Sequence, residues 1–441
     1  MDLAGKKVAV IGLGRSGAAA ARFLHRRGAR LVLIDRDPSA VRNEEIPPGE
    51  LQLGPEDTDW MTGIDLAVTS PGVPRQNILL TRAVQIGVPV WSELELAARF
   101  FPQPIIAITG TNGKSTVTTM IGEIFKMAGE PVFVGGNLGT PLIEAADKPY
   151  AIAIIEVSSF QLEWIETFHP HVGIHLNLSE DHLDRYRDLE DYGRAKAALF
   201  SNQISDDWAI LNRDDPHVFA LAPGLRSQVI TFGHSAPGQA PFLAIEKNEI
   251  VFDLAVRRGR VRLDGMALTG RHNAKNAMAA AAAALAMGLD VDVIERGLAS
   301  FNGLPHRIEK VRERGGVIFI DDSKGTNVGA VIEALAAVPG PVILIAGGVD
   351  KGGDYSSLVA PLREKVKRLI LFGAARDKMR GALEGAAEIA IVTTLAEAVA
   401  LAAVSAQAGD TVMLSPACAS FDQFRDYAER GNVFKELVRA L

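Results

Sequence analysis

The chain has 441 residues, 48% of them hydrophobic and 22% charged, which excludes a disordered or fibrous protein. At about 150 residues per domain there is room for roughly three separate cores. A balance of 46 Lys and Arg against 53 Asp and Glu leaves −7, which argues against a nucleic-acid coat or a membrane-surface protein but not against small anionic ligands.

The rhythm along the chain is a short apolar run, a glycine-containing turn and a helical stretch, which predicts repeated βαβ units and parallel sheets. The first predicted strand, 7–11, runs into Gly12-Leu13-Gly14-Arg15-Ser16-Gly17 and a helix over 16–27, and Asp35 ends the next strand. Such a loop lets backbone amides at a helix start meet a diphosphate, and UDP on a sugar satisfies it as well as NAD. A strand over 66–70 ends at Ser70-Pro71-Gly72. A boundary after Ser92 precedes the stiff Phe100-Phe101-Pro102-Gln103-Pro104 approach to a new strand, 105–109.

That strand opens the strongest signal, Gly110-Thr111-Asn112-Gly113-Lys114-Ser115-Thr116 followed by a helix over 114–128. Amides of such a loop cradle phosphates, the lysine reaches the terminal ones and the serine hydroxyl suits Mg²⁺. Ile108 stands where the common loop has its first glycine. A strand over 151–157 delivers Glu156 to its carboxyl end, where a carboxylate is placed to hold Mg²⁺. The strand at 172–177 is preceded and entered by His169, His171 and His175, which share parity but have no sequence neighbour that completes a metal set.

Residues 227–262 read as short strands with Gly and Pro turns, and an alanine-rich helix covers 274–287. A second boundary falls near Phe301-Asn302-Gly303-Leu304-Pro305, before strands at 317–321, 342–346, 369–372 and 411–415. The expected fold is therefore α/β in three domains, 1–92 around the glycine loop, 93–300 around the phosphate loop and 301–441. Cys418 is the single cysteine, so no internal disulfide forms, as suits a reducing cytosol. No signal-peptide pattern precedes residue 7, and the longest apolar run, 277–289, is too short to cross a bilayer. A cytoplasmic protein that does not engage membranes or nucleic acid is the expectation.

Several segments together resemble the Mur ligase family: the loop at 110–116, EVSSFQLE at 156–163, NLSEDHLDRY at 177–186, TGRHNAKNAMAA at 269–280, GLPHRIE at 303–309, DDSKGTN at 321–327, GGVDKG at 347–352 and LSPACASFDQF at 414–424. The resemblance spans the whole chain in order, and it implies a Rossmann-like domain over 1–92, a P-loop ATPase domain over 93–300 and a second Rossmann-like domain over 301–441. It implies ATP-dependent addition of D-glutamate to UDP-N-acetylmuramoyl-L-alanine through an acyl phosphate, a step of peptidoglycan precursor synthesis that serves cell-wall growth, shape and division. The alternative is a sister ligase that adds a different amino acid.

Carried over by position, the resemblance implies that Gly110 to Thr116 hold ATP phosphates, with Lys114 central. Asn273 and Asn276 would meet adenine, Asp322 ribose and Arg307 phosphate. Ser115 and Glu156 would ligate one Mg²⁺ and His182 a second, joined by Lys196 once carbamylated. The catalytic set is then Lys114, Glu156, His182 and Lys196. The UDP moiety would meet Gly14, Arg15, Ser16, Asp35 and Arg36, then Ser70, Gly72 and Asn137. D-Glutamate would meet Lys324, Thr326 and Lys351, then Ser420, Phe421 and Tyr427. ATP and two Mg²⁺ are the expected cofactors, NAD is not expected, and the chain is expected to act as a monomer.

Overall fold

A computed structural model describes residues 2–40, 45–137, 139–234, 240–266 and 270–441. Thr269, at the head of one motif, and part of the 227–262 stretch lie outside the described residues. Three sheets are formed, and nearly every strand expected from an apolar run is present within a residue or two at each end.

The first sheet contains β1 (Lys7–Ile11), β2 (Arg30–Asp35), β3 (Glu50–Leu53), β4 (Leu66–Thr69) and β5 (Val90–Ser92), in the order β3-β2-β1-β4-β5. All its pairings are parallel. The chain runs outward from β1 to β2 and β3, then crosses back to β4 on the other side of β1, so a crevice opens at the carboxyl ends of β1 and β4. β3 and β5 escape the sequence reading because they are short strands at the sheet edges, and β3 is half-exposed as well.

The second sheet contains β6 (Ile105–Thr109), β7 (Val132–Gly136), β8 (Ile152–Glu156), β9 (Val172–His175), β10 (Trp208–Asn212) and β11 (Gln228–Gly233). It continues through β12 (Phe242–Glu246), β13 (Glu249–Asp253) and β14 (Arg258–Arg262), in the order β14-β13-β12-β11-β10-β9-β6-β8-β7. β6 and β8 are buried at every position, as strands covered on both faces must be. Strands β12 to β14 pair antiparallel, the small β layer expected from the Gly and Pro turns.

The third sheet contains β15 (Glu309–Arg314), β16 (Val317–Asp321), β17 (Val342–Gly347), β18 (Val366–Phe372), β19 (Glu388–Ile391) and β20 (Thr411–Leu414), in the order β15-β16-β20-β17-β18-β19. Only β15 runs antiparallel to its neighbour.

Two compact units emerge. The first holds residues 1–178, 190–266 and 275–301, and the second holds 179–189, 267–274 and 302–441. Within the first unit one continuous apolar core runs from β1 and helix α1 (Arg15–Arg26) to β6, β8 and β10. Phe23 of α1 meets Phe100 edge-on at 4.9 Å, and Arg22 pairs with Glu144 at 2.9 Å. Helix α2 (Ile78–Gln85) follows β4, and α3 (Glu93–Ala98) follows β5 directly. Helix α4 (Lys114–Met127) follows β6.

Candidate active site

The glycine loop closes tightly because Gly17 packs against it: a Cβ there would sit 1.8 Å from the Gly12 carbonyl oxygen. Ser70 Oγ donates to that same carbonyl at 2.8 Å, tying the ends of β1 and β4 together. Asp35 Oδ2 accepts from Leu13 N at 2.6 Å and Oδ1 from Asp37 N at 2.9 Å. The result is a pocket of about 520 Å³ over the crevice of the first sheet. All eight residues expected to meet UDP line it: Gly14, Arg15, Ser16, Asp35 and Arg36 from one side, Ser70, Gly72 and Asn137 from the other. Glu56 and Asn77 line it too, and sequence reasoning had not singled them out.

The phosphate loop sits at the carboxyl end of β6. Gly110 and Gly113 take φ of +145° and +87°, which side chains disfavour, and this bends the chain so that amides open α4. Lys114 Nζ donates to the Gly110 and Thr111 carbonyls at 2.9 Å each, curling over the loop. Asn177, at the end of β9, fixes the loop from beside it: its Oδ1 accepts from Thr111 N and Asn112 N at 3.1 and 2.8 Å, and its Nδ2 donates to Asn112 O at 3.0 Å. The sequence quoted Asn177 within a motif without giving it this role. A Cβ on Gly113 would lie 2.8 Å from Asn276 Oδ1, so Asn276 borders the loop. Thr116 Oγ1 is buried and, among the described residues, has no partner.

Ser115 Oγ donates to Glu156 Oε2 at 2.6 Å, both side chains being buried. Asn137 Nδ2 donates to the other oxygen, Glu156 Oε1, at 2.9 Å. The pocket over the first sheet and the phosphate loop therefore share a wall. Converging hydroxyl and carboxylate oxygens are the donors a hard divalent cation takes, so this pair fits Mg²⁺.

Lys196 is 1% exposed; its Nζ donates to the Gly110 carbonyl at 2.9 Å and lies 4.4 Å from the centre of the Tyr192 ring. His175 is equally buried, and among the described residues neither ring nitrogen has a hydrogen-bond partner. Burial, then the charges of Lys196 and Lys114, push its pKa down to about 3, so the ring is neutral. His169 and His171 do not join it: both meet Asp207, at 2.5 and 3.1 Å. The parity of the three histidines thus reflects strand geometry, with a carboxylate from another segment taking two of them.

In the second unit Arg307, Asp322, Lys324 and Thr326 lie on segments flanking β15 and β16, and Lys351 follows β17. Asp322 is fully buried, accepts from Ser415 Oγ at 2.6 Å, and is raised to about 7 by burial against the opposing pull of Arg307. Arg307 Nε is buried without a hydrogen-bond partner among the described residues. Lys324 Nζ meets Tyr427 Oη at 3.3 Å, and Lys351 Nζ donates to Thr326 Oγ1 at 3.4 Å. Asp181 joins this cluster, 3.5 Å from Lys351 and 3.7 Å from His182, and accepts from Asn327 Nδ2 at 3.2 Å. His182 has φ of +57°, a left-handed backbone that costs energy in a non-glycine residue. Ser420 is buried, whereas Phe421 is 72% exposed, and Asn273 is buried in the helix 271–286.

A phosphate loop that opens a helix beside a buried Ser–Glu pair defines a nucleotide-binding P-loop protein. The Mur ligase middle domain matches residues 108–284, the Mur ligase glutamate ligase domain 306–418, and the Mur ligase MurD-like N-terminal domain 6–92. The chain belongs to the Mur ligase family and is an ATP-dependent ligase.

Its relatives narrow this further. The UDP-N-acetylmuramoylalanine–D-glutamate ligase of Syntrophus aciditrophicus is 43% identical over 100% of this chain and 99% of its own. The ligase of the same name from Geotalea daltonii is 45% identical with the same coverage. Among solved structures, the pseudomurein peptide ligase type C of Methanothermus fervidus has a TM-score of 0.62 at 20% identity, covering 99% of this chain and 100% of its own. The UDP-N-acetylmuramate–alanine ligase of Thermotoga maritima has the same TM-score at 19% identity, covering 99% of each chain. Those two likenesses speak to fold alone.

Proposed function

We propose that this protein joins D-glutamate to UDP-N-acetylmuramoyl-L-alanine with ATP, releasing ADP and phosphate, in peptidoglycan precursor synthesis. The observation that carries it is the shared wall at Asn137, between a diphosphate-type pocket and a phosphate loop, in a chain 43–45% identical to ligases of that name along its length. A carboxylate does not react with an amine at neutral pH until one oxygen becomes a leaving group. Transfer of the γ-phosphoryl group to the L-alanyl carboxylate supplies that group, and the D-glutamate amine then displaces phosphate to form the amide. Both steps bring anions together, so positioned cations and amides carry most of the catalysis.

On this reading Lys114 and the amides of 110–116 hold ATP phosphates and stabilise the charge that develops on transfer. Ser115 and Glu156 hold Mg²⁺, which neutralises phosphate charge when bound. Arg307 has a buried guanidinium nitrogen available for phosphate, Asp322 a carboxylate for ribose, and Asn273 and Asn276 amides for adenine. Lys324, Thr326, Lys351, Ser420, Phe421 and Tyr427 supply the cations, hydroxyls and ring that the dicarboxylate needs. His182 serves as a ligand for a second Mg²⁺. Lys196 gains a carboxylate-like head by carbamylation; the side chain is buried beside the loop, with Nζ 2.9 Å from the Gly110 carbonyl oxygen. The domains follow as 1–92, 93–300 and 301–441, in a cytoplasmic monomer that needs no NAD. No helix among the described residues is long and apolar enough to cross a membrane.

The test supplies ATP, Mg²⁺ and UDP-N-acetylmuramoyl-L-alanine with single amino acids and follows phosphate release. Release should require D-glutamate. Equal release with L-alanine or a diamino acid would assign the chain to a sister reaction.

A further inference from the structure

The pocket over the first sheet is chemically uneven. The glycine loop, Arg15 and Ser16 bring amides and a cation, which suit a diphosphate. From the turns after β2 and β3 come Arg36 and Glu56, and a carboxylate is an odd wall for an anion to lean on. Glu56 is not there as a loose surface charge. Its side chain is 9% exposed, and Oε1 accepts from Asn77 Nδ2 at 2.7 Å.

Asn77 cannot turn its amide round, because its Oδ1 caps α2 by accepting from Leu79 N and Leu80 N at 2.8 and 3.4 Å. Its Nδ2 therefore always faces Glu56 and holds that carboxylate in one orientation. The other carboxylate of the pocket, Asp35, has each oxygen engaged by a backbone amide, Leu13 of the glycine loop on one and Asp37 on the other. Among the described residues Glu56 Oε2 has one hydrogen-bonding partner, Arg36 at 3.3 Å, and that arginine is 74% exposed. A fixed acceptor thus looks into the pocket with capacity to spare.

We propose that Glu56, oriented by Asn77, is the base-selecting residue of this pocket: it accepts the N3–H of a uracil ring and disfavours cytosine. This rests on the reading that the pocket takes the UDP end of the substrate. Uracil carries a donor at N3, flanked by two carbonyls. Cytosine carries a lone pair there, and a carboxylate facing a lone pair is left unpaired and repelled. Such a mismatch costs on the order of tenfold to hundredfold in affinity in a partly exposed site.

The experiment measures UDP and CDP binding to the full-length protein by titration calorimetry, for wild type, Glu56→Gln and Glu56→Ala. Wild type should favour UDP by on the order of tenfold or more. Glu56→Gln should narrow that preference to within a few-fold, since the amide can offer either an acceptor or a donor, and Glu56→Ala should narrow it likewise. Gln also keeps an acceptor for Asn77, so an unchanged unfolding midpoint verifies its fold. If wild type binds UDP and both variants keep its UDP-to-CDP ratio, the assignment of Glu56 is overturned. If wild type binds neither nucleotide, the reading of the pocket itself falls, which is a distinct result.

Discussion

At the scale of single residues, one buried side chain near the phosphate loop carries a stability cost. His175 is that residue: a fully buried ring with two nitrogens that have no hydrogen-bond partner among the described residues, beside Leu211 across the β10 pairing. An unpaired buried polar group costs about 1–3 kcal/mol. Its folded pKa of about 3 lies below the ordinary 6.5, so between those values the unfolded chain takes a proton that the folded one refuses. Stability from this site is full above pH 6.5 and is lost as pH falls toward 3, by up to about 1.4 kcal/mol per unit. His175→Leu should therefore be more stable than wild type at pH 7, by about 1 kcal/mol or more, and by a wider margin at pH 5. Urea unfolding at the two pH values checks this; a variant less stable at both would show that the ring has a partner. The sequence made Ser115 and Glu156 readable because a loop and a strand end announce them. It did not reveal Asn177, Tyr192 or Asp181 as site residues, because each acts through a contact with a segment distant in sequence or on the next turn of a helix.

Elements show where reading apolar runs succeeds and where it stops. Strands buried on both faces, such as β6, β8 and β17, are continuous apolar runs and leave little ambiguity. Edge strands and the short helix α3 are set by tertiary contacts instead. α3 buries two carboxylates. Glu95 accepts from Glu166 N, Thr167 N and Phe168 N at 2.8–3.0 Å, strapping the segment after β8 to the helix. Burial raises its pKa, but these bonds and that of the Thr167 hydroxyl outweigh it and hold Glu95 below the usual range.

Glu93, on the same helix, is fully buried and receives less help, so burial raises it to about 7. The folded state then keeps a proton that the unfolded state releases above about 4.5. Its stabilising share is complete below pH 4.5 and is lost as pH rises through 7, by roughly 3 kcal/mol in all. Glu93→Gln should remove that slope, becoming more stable relative to wild type at pH 8 than at pH 5. Parallel unfolding curves from pH 5 to pH 8 would show that Glu93 is ionised throughout.

For the molecule as a whole, bulk charge is a poor guide: every proposed substrate is anionic, yet the net charge is −7. The resolution is topological. The glycine loop, Ser70, the 110–116 loop, Glu156 and Asp322 stand at carboxyl ends of parallel strands, and α1 and α4 begin at two of these loops, where helix N-termini and Lys114 concentrate positive potential. The three-domain reading also meets a physical limit, because one apolar core joins the first two sheets within a single unit. A ligand bound over the first sheet should therefore stabilise the second. With UDP at a hundred times its dissociation constant, opening of that unit becomes about 2.7 kcal/mol harder, a hundredfold slowing of exchange. Hydrogen exchange should show this slowing at the slowest amides of β6 and β8 as well as of β1 and β4. Slowing confined to residues 1–92 would show that the first sheet opens by itself, and that the shared core does not couple the two.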